Sequence, residues 1–114
     1  MPVMQETTYW ILTSLTGGRR HGYALLKEIS DLTEGRVGLK VTTLYAALDR
    51  LQQRGLIAND GEETVDGRQR RYVVLTADGA AALTFEVRRL ADAGRRAAAR
   101  LQSYGLASAS PAEL

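Results

Sequence analysis

The chain has 114 residues, of which 45% are hydrophobic and 25% charged, and no run approaches the roughly 18 apolar residues that cross a bilayer. It contains no Cys and one His, which excludes disulfides and thiolate chemistry and argues against a His/Cys metal site. The formal net charge is only +2, so a nucleic-acid partner must be inferred from where the basic residues lie. These totals favour one globular, cytoplasmic domain without metal or cofactor.

Two helices are predicted in the first third of the chain. The first runs from about Glu6 to Leu15 and stops at Thr16-Gly17-Gly18, because glycine tolerates left-handed backbone. The second lies in HGYALLKEISDL and precedes a turn over 34–39. Their apolar positions are Trp10, Ile11, Leu12 and Leu15 in the first helix and Leu25, Leu26, Ile29 and Leu32 in the second. Just before the second helix, Arg19 and Arg20 could bind a phosphate at its free N–H groups, or form an ordinary charged loop.

A third helix is predicted to begin at Thr42 or Thr43, either of which can cap it, and to end at Gly55. Its apolar stripe consists of Leu44, Leu48 and Leu51, and its polar face of Thr42, Thr43, Tyr45, Ala46, Asp49, Arg50 and Gln53. Two helices joined by a glycine-containing turn form a helix-turn-helix. The hydroxyl-rich leading edge favours contact with DNA, whereas a purely structural role would have Thr42 as a cap and Tyr45 packed on the core.

A β-hairpin is predicted next, with strands over 56–65 and 69–75. Asp66-Gly67 is typical of a two-residue hairpin turn, and Asn59-Asp60-Gly61 indicates a bulge in the first strand. Three arginines near the tip could enter a DNA groove: Arg68, Arg70 and Arg71. The alternative is a network of cross-strand ion pairs with Asp60, Glu62, Glu63 and Asp66.

A long last helix is predicted from a Thr76 cap to about Tyr104. We call its heptad-spaced positions the seam: Ala80, Leu83, Val87, Leu90, Gly94, Ala97, Leu101 and Tyr104. So long a stripe exceeds what a small domain can cover, so a partner helix is expected, although packing on the chain's own first helix is a compatible alternative. Trp10 could pack in the core or the dimer, or line a cavity for a flat aromatic effector.

With these residues in place, the chain resembles the PadR family of bacterial transcriptional regulators. The matching segments are HGYALLKEI at 21–29, TLYAALDRLQQRGLI at 43–57, GRQRRYVVLTADG at 67–79 and the long closing helix. The resemblance implies a winged helix-turn-helix repressor that dimerises through its first and last helices and is in some members released by a small molecule. It also implies that Tyr23 and 42–45 face DNA and that 67–71 form the wing. Ala46 departs from the family pattern, which often has Pro there, but Ala is also a good helix former.

We therefore expect a mainly α fold with a small β-hairpin, divided into a winged helix-turn-helix DNA-binding domain (1–76), a C-terminal dimerisation helix (77–104) and a flexible tail (105–114). The expected function is that of a homodimeric repressor, not an enzyme, which binds double-stranded DNA at an inverted-repeat operator. The alternative is a winged-helix module that binds only protein. Candidate DNA contacts are Arg20, Tyr23, Lys40, Thr42, Thr43, Tyr45, Arg50, Arg68, Gln69, Arg70 and Arg71. Candidate dimer contacts are Trp10, Leu83, Val87, Leu90, Gly94, Ala97 and Leu101.

Overall fold

Four helices and one small sheet make up the protein, in a computed structural model that describes residues 3–105. In chain order the elements are α1 (Glu6–Leu15), β1 (Arg20–His21), α2 (Gly22–Leu32), α3 (Val41–Gln53), β2 (Ile57–Val65), β3 (Arg68–Leu75) and α4 (Ala77–Tyr104). The sheet is antiparallel with the strand order β1-β3-β2. The predicted fold class, mainly helical with a winged hairpin, is confirmed. No helix among the described residues is both long and apolar enough to cross a membrane.

The core lies where the first three helices meet the base of the hairpin and the start of α4. Its fully buried members include Ile11, Leu12, Leu25, Ile29, Leu44, Leu48, Ile57 and Val73. Burying each such side chain stabilises the fold by about 1.5–3 kcal/mol, so this cluster is the main source of stability. Leu32 was predicted to share the apolar stripe of α2, but it is 46% exposed because α2 ends at this residue, beyond the reach of the core.

The turn between α2 and α3 is held by Thr33, which is buried. Its hydroxyl donates to the carbonyl of Ile29 at 2.8 Å and accepts from the amide of Val37 at 3.1 Å. Helix α3 then begins at Val41, with Lys40 in the N-cap position and no side-chain cap. The predicted capping role of Thr42 and Thr43 is therefore wrong, because both residues already lie within the first turn. Their side chains are left exposed at the leading edge of the helix.

The hairpin of β2 and β3, with the turn at 66–67, is here called the wing. Asp66 and Gly67 both have positive φ, 53° and 77°, which is the type I′ geometry that an Asp-Gly pair favours. The predicted bulge is confirmed, since the register shifts between Asn59 and Glu62, and Gly61 has φ 92°. Strand β1 was not predicted, because a two-residue strand that pairs with β3 has no periodicity in the sequence.

Helix α4 begins as predicted, with the Thr76 hydroxyl accepting from the amide of Gly79 at 3.0 Å. Its 28 residues span about 42 Å at 1.5 Å per residue. The first turns pack on the domain, so Leu83 is only 8% exposed, whereas Val87, Leu90 and Leu101 are each more than 40% exposed. Most of the helix therefore lies outside the core. Of the tail predicted at 105–114, residues 106–114 lie outside the described residues, and Gly105 is the C-cap of α4.

Candidate nucleic-acid interface

A cleft of about 360 Å³ lies between the helix-turn-helix and the wing. We call it the recognition cleft. Its helical wall includes Tyr23, Val41 and Tyr45, and its wing wall consists of Arg68, Gln69 and Arg70. The exposed Thr42 and Thr43 follow Val41 on the first turn of α3, and the exposed Lys40 precedes it. Eight of the predicted DNA contacts therefore share one side of the molecule, where polar helix groups adjoin two wing arginines.

Tyr45 lines the recognition cleft, and its side chain lies close to Gly22. A Cβ atom at Gly22 would lie 2.6 Å from the Tyr45 hydroxyl oxygen, so a side chain at the first residue of α2 would displace the Tyr45 ring. Tyr45 is half-buried and packs against the core. This agrees with the alternative that Tyr45 has a structural role. Its ring thus joins α3 to α2.

The arginines of the wing differ in their partners. Neither Arg68 nor Arg70 has an ion pair with any residue in the range 3–105. The side-chain Nε2 of Gln69 donates to the carboxylate of Glu62 at 2.7 Å. Arg71 instead turns toward α3 and forms an ion pair with Asp49 at 3.0 Å. The ion pair of Arg71 thus connects the wing to α3 and is not one of the cross-strand pairs of the alternative, and the charges of Arg68 and Arg70 are left available to a ligand.

Two further predicted contacts lie away from this cleft. Arg20 donates to the carbonyl of Ser14 at 3.0 Å and forms an ion pair with Glu28 at 3.4 Å, so it joins the end of α1 to α2. Arg50 lines a separate groove of about 850 Å³ between α1, α3 and α4, together with Arg54. For Arg20 the charged-loop alternative agrees better with these contacts, and phosphate binding by Arg20 and Arg50 stays a prediction.

His21 also lines the recognition cleft, although it is not among the predicted DNA contacts. Its Nδ1 accepts from the amide of Ala24 at 3.4 Å, so it caps α2, and its ring meets Tyr72 edge-on at 5.5 Å. Burial, followed by the positive charge of Arg70, lowers the pKa of His21, and Glu63 partly opposes this. In the sequence, the only signal for this capping role was a His directly before the apolar stripe of α2. The neutral ring is therefore the form that the fold favours.

A second hollow, of about 290 Å³, lies beside Trp10 and is lined in part by Tyr9 and Leu90. The Trp10 indole donates to Glu6 at 3.3 Å and meets the Tyr9 ring edge-on at 5.1 Å. At its edge, Glu86 is only 5% exposed and accepts two hydrogen bonds of 2.7 Å from Arg89, which lowers the pKa of Glu86. The hollow therefore combines aromatic walls with an ion pair in which Arg89 balances the charge of Glu86.

The seam of α4 divides into two parts. Leu83 is buried in the chain's own core, and α4 contacts α1, which agrees with the alternative that the seam packs on the chain's own first helix. Val87, Leu90 and Leu101 remain open, and a Cβ atom at Gly94 would meet no atom within 4 Å. Within 3–105 there is no group of three or more His, Cys, Asp or Glu residues that could hold a metal ion.

Comparison with known proteins agrees with this geometry. The model of the Transcriptional regulator PadR-like family matches residues 11–85. A transcriptional regulator of Mycobacterium tuberculosis is 40% identical over 77 residues, which cover 66% of this chain and 66% of that protein. An uncharacterized protein of Lysinibacillus sphaericus is 34% identical over 73 residues, covering 64% and 67%. The chain thus spans about two thirds of the length of these relatives.

Solved structures show the same fold. A transcriptional regulator from Clostridium thermocellum matches with a TM-score of 0.68 and 26% identity, covering 77% of this chain and 85% of that one. Bacillus subtilis PadR, in a complex with operator DNA, matches with a TM-score of 0.65 and 20% identity. That match covers 73% of this chain and 48% of the PadR chain, so it supports the likeness of the fold alone.

Proposed function

Since the chain belongs to the Transcriptional regulator PadR-like family, we propose that it is a sequence-specific DNA-binding repressor that acts as a homodimer in the cytoplasm. The family is one of transcriptional regulators rather than enzymes. The observation that carries the DNA-binding proposal is the recognition cleft, where the exposed first turn of α3 adjoins Arg68 and Arg70. A recognition helix with a basic ribbon beside it suits a major groove and its flanking phosphates or minor groove. The Bacillus subtilis relative with the same fold was solved with operator DNA.

Each part of this interface has a distinct role in the proposal. The hydroxyls of Thr42 and Thr43 meet base edges or phosphates in the major groove, and Tyr23, 57% exposed on α2, contacts the backbone. Arg68 and Arg70 meet the adjacent minor groove or its phosphates. Because arginine without an intramolecular partner loses little on binding an anion, these two should contribute most of the salt-dependent affinity.

The first experiment recovers bound fragments from genomic DNA and measures affinity for the best fragment at several salt concentrations. Arg68→Ala with Arg70→Ala should abolish operator binding at physiological salt and spare dimerisation. Each lost phosphate contact should reduce the slope of log affinity against log salt by about 0.9. The matched control replaces Arg95 and Arg100, exposed on α4, with Ala, which removes the same charge far from the cleft. Unchanged affinity of the wing variant would refute its assignment. A protein-only module, the alternative function, would bind no duplex of any sequence at low salt.

The dimer proposal rests on the exposed part of the seam. Val87, Leu90 and Leu101 present an apolar stripe that a second α4 can cover, and Gly94 permits close approach of two helices. Two recognition helices related by two-fold symmetry would read inverted half-sites about 10 bp apart. Leu90→Arg should give monomers in sedimentation and weaken operator binding strongly, whereas Ala99→Arg, on the opposite face of α4, should remain dimeric. If Leu90→Arg remained a dimer, the seam could not be the dimer interface.

Release by an aromatic effector extends this proposal, and the hollow beside Trp10 supports it. Because Trp10 is the only tryptophan, its fluorescence reports binding there without interference. A planar aromatic ligand in the hollow should quench the Trp10 emission and lower operator affinity over the same concentration range. Quenching without any effect on operator affinity would separate binding from regulation and contradict the release mechanism.

A further inference from the structure

Arg71 lies beside Arg70 in β3, but its side chain is held by other parts of the same protomer. Its Nε donates to Asn59 of β2 at 2.8 Å, its Nη1 to Asp49 of α3 at 3.0 Å, and its Nη2 to Gln52 of α3. Only 24% of the side chain is exposed. All three nitrogens of the guanidinium therefore have partners within the protein. An arginine that binds phosphate would instead direct some of its N–H donors toward solvent.

The backbone explains why these partners meet at one arginine. Asp49 and Gln52 are three residues apart on α3, so they share the face that turns toward the wing. On the other side, the β-bulge after Asn59 shifts the register of β2, and Arg71 bonds Asn59 although it pairs with Glu62 across the strands. The planar guanidinium fork can satisfy three acceptors in different directions, which a lysine ammonium on a flexible chain does less well.

We propose that Arg71 is a positioning residue, which sets the angle between the wing and α3 so that both can engage the same duplex. This inference rests on the proposed DNA binding and assigns Arg71 to the alignment of the site, not to DNA contact. From Arg71 to Arg68 the strand extends about 10 Å, so a tilt of about 10° at Arg71 would move Arg68 by about 2 Å. A shift of that size is enough to remove a hydrogen bond to a phosphate.

The same contact has an electrostatic consequence. Asp49 is an exposed carboxylate on the helix proposed to enter the groove, where an unpaired negative charge would repel DNA. Arg71 neutralises it. The two possible roles of Arg71 therefore predict opposite effects for Asp49→Ala. If Arg71 contacts phosphate, removing the competing carboxylate frees the arginine and raises DNA affinity. If Arg71 positions the wing, the same variant loosens the wing and lowers DNA affinity.

The deciding experiment compares Asp49→Ala, Arg71→Ala and the double variant in operator titrations well below the unfolding temperature. We expect each single variant to lose about tenfold in affinity, and the double variant to lose no more than Arg71→Ala alone, because the two residues act through one contact. The salt slope of Asp49→Ala should match that of the wild type, because no phosphate contact is removed. Asp31→Ala is the matched control, since it removes an exposed carboxylate that pairs with Lys27 on α2, and its affinity should not fall.

Hydrogen exchange of the wing amides in the DNA-free protein provides a second measurement that is independent of the proposed function. Both Asp49→Ala and Arg71→Ala should accelerate exchange in β2 and β3 about tenfold, with exchange in α1 unchanged. Higher or unchanged operator affinity of Asp49→Ala, or unchanged wing exchange in Arg71→Ala, would overturn the positioning role. If the wild type bound no duplex while wing exchange responded as expected, the proposed DNA function would fail and the structural contact would stand.

Discussion

The junction between the wing and α4 offers a sharp test of the packing, through the substitution Gly79→Ala. Gly79 lies in the first turn of α4 against the backbone of Leu56. A Cβ atom there would overlap the carbonyl oxygen of Leu56 and would lie 3.0 Å from its carbonyl carbon and 2.8 Å from Cδ1 of Leu75. Since carbon atoms in contact prefer about 3.5–4.0 Å and the carbonyl oxygen is closer still, the helix must retreat by more than about 1 Å. Most of this overlap is with backbone, so a side-chain rotation cannot relieve it.

The expected cost follows from the contacts that this retreat would break. The amide of Thr76 donates to the carbonyl of Leu56 at 3.2 Å, and the Thr76 hydroxyl donates to the carbonyl of Gly55 at 2.6 Å. Losing these two bonds costs about 1 kcal/mol each. Overpacking adds about 1–3 kcal/mol, and the higher helix propensity of Ala returns up to about 1 kcal/mol. We therefore expect the free energy of unfolding to fall by about 2–5 kcal/mol, a large part of the roughly 5–15 kcal/mol typical of a domain.

Urea unfolding followed by circular dichroism measures this loss, at one protein concentration because a dimer's stability depends on it. The thermal midpoint should fall by about 10–15 °C. The control is Gly38→Ala, since a Cβ atom there meets nothing within 4 Å and its φ is not left-handed. That variant should be unchanged or more stable by up to about 1 kcal/mol. Wild-type stability in Gly79→Ala would refute the close approach of α4 to Leu56.

Three further predictions concern the interface and its ionisable groups. Gly22→Ala should displace the Tyr45 ring and weaken operator binding about tenfold. Adding Tyr45→Phe should recover part of this loss in the same titration, because it removes the hydroxyl that makes the closest contact. Because the fold lowers the pKa of His21, its stabilising contribution is complete above the unfolded value of 6.5 and is lost as pH falls through the lower folded pKa. Unfolding from pH 8 to 5 should show this slope, and His21→Asn should flatten it. The pKa of Glu86 is also lowered, by Arg89, so that contribution is present above 4.5 and lost in acid. Arg89→Ala should therefore destabilise the protein at pH 7, with a difference in thermal midpoint that shrinks toward pH 3.

The elements that could be predicted from sequence are those whose cause is local. Helix α1 has the predicted bounds, and α4 begins after the Thr76 cap, because caps, glycine stops and apolar spacing act within a few residues. The wing turn was predictable because Asp66-Gly67 suits a type I′ turn. The first residue of α3 could not be predicted in this way, since the hydroxyl of Thr42 or Thr43 can cap a helix or lie in its first turn. The folded chain adopts the second arrangement, with Lys40 in the N-cap position and both threonines in the first turn.

Roles of individual arginines depended on contacts between distant segments. Period-two alternation places Arg68 and Arg70 on one face of β3 and Arg71 on the other, but it does not say what lies opposite either face. Only the folded chain brings Asp49 and Gln52 to Arg71, and Ser14 and Glu28 to Arg20. The requirement for Gly22 and Gly79 has the same origin, since the nearest atoms belong to Tyr45 and Leu56, each 23 residues away in sequence. Local chemistry thus determined where the helices and the hairpin form. The partner of each arginine, and the positions where only glycine fits, depended on distances that arise only when the elements pack.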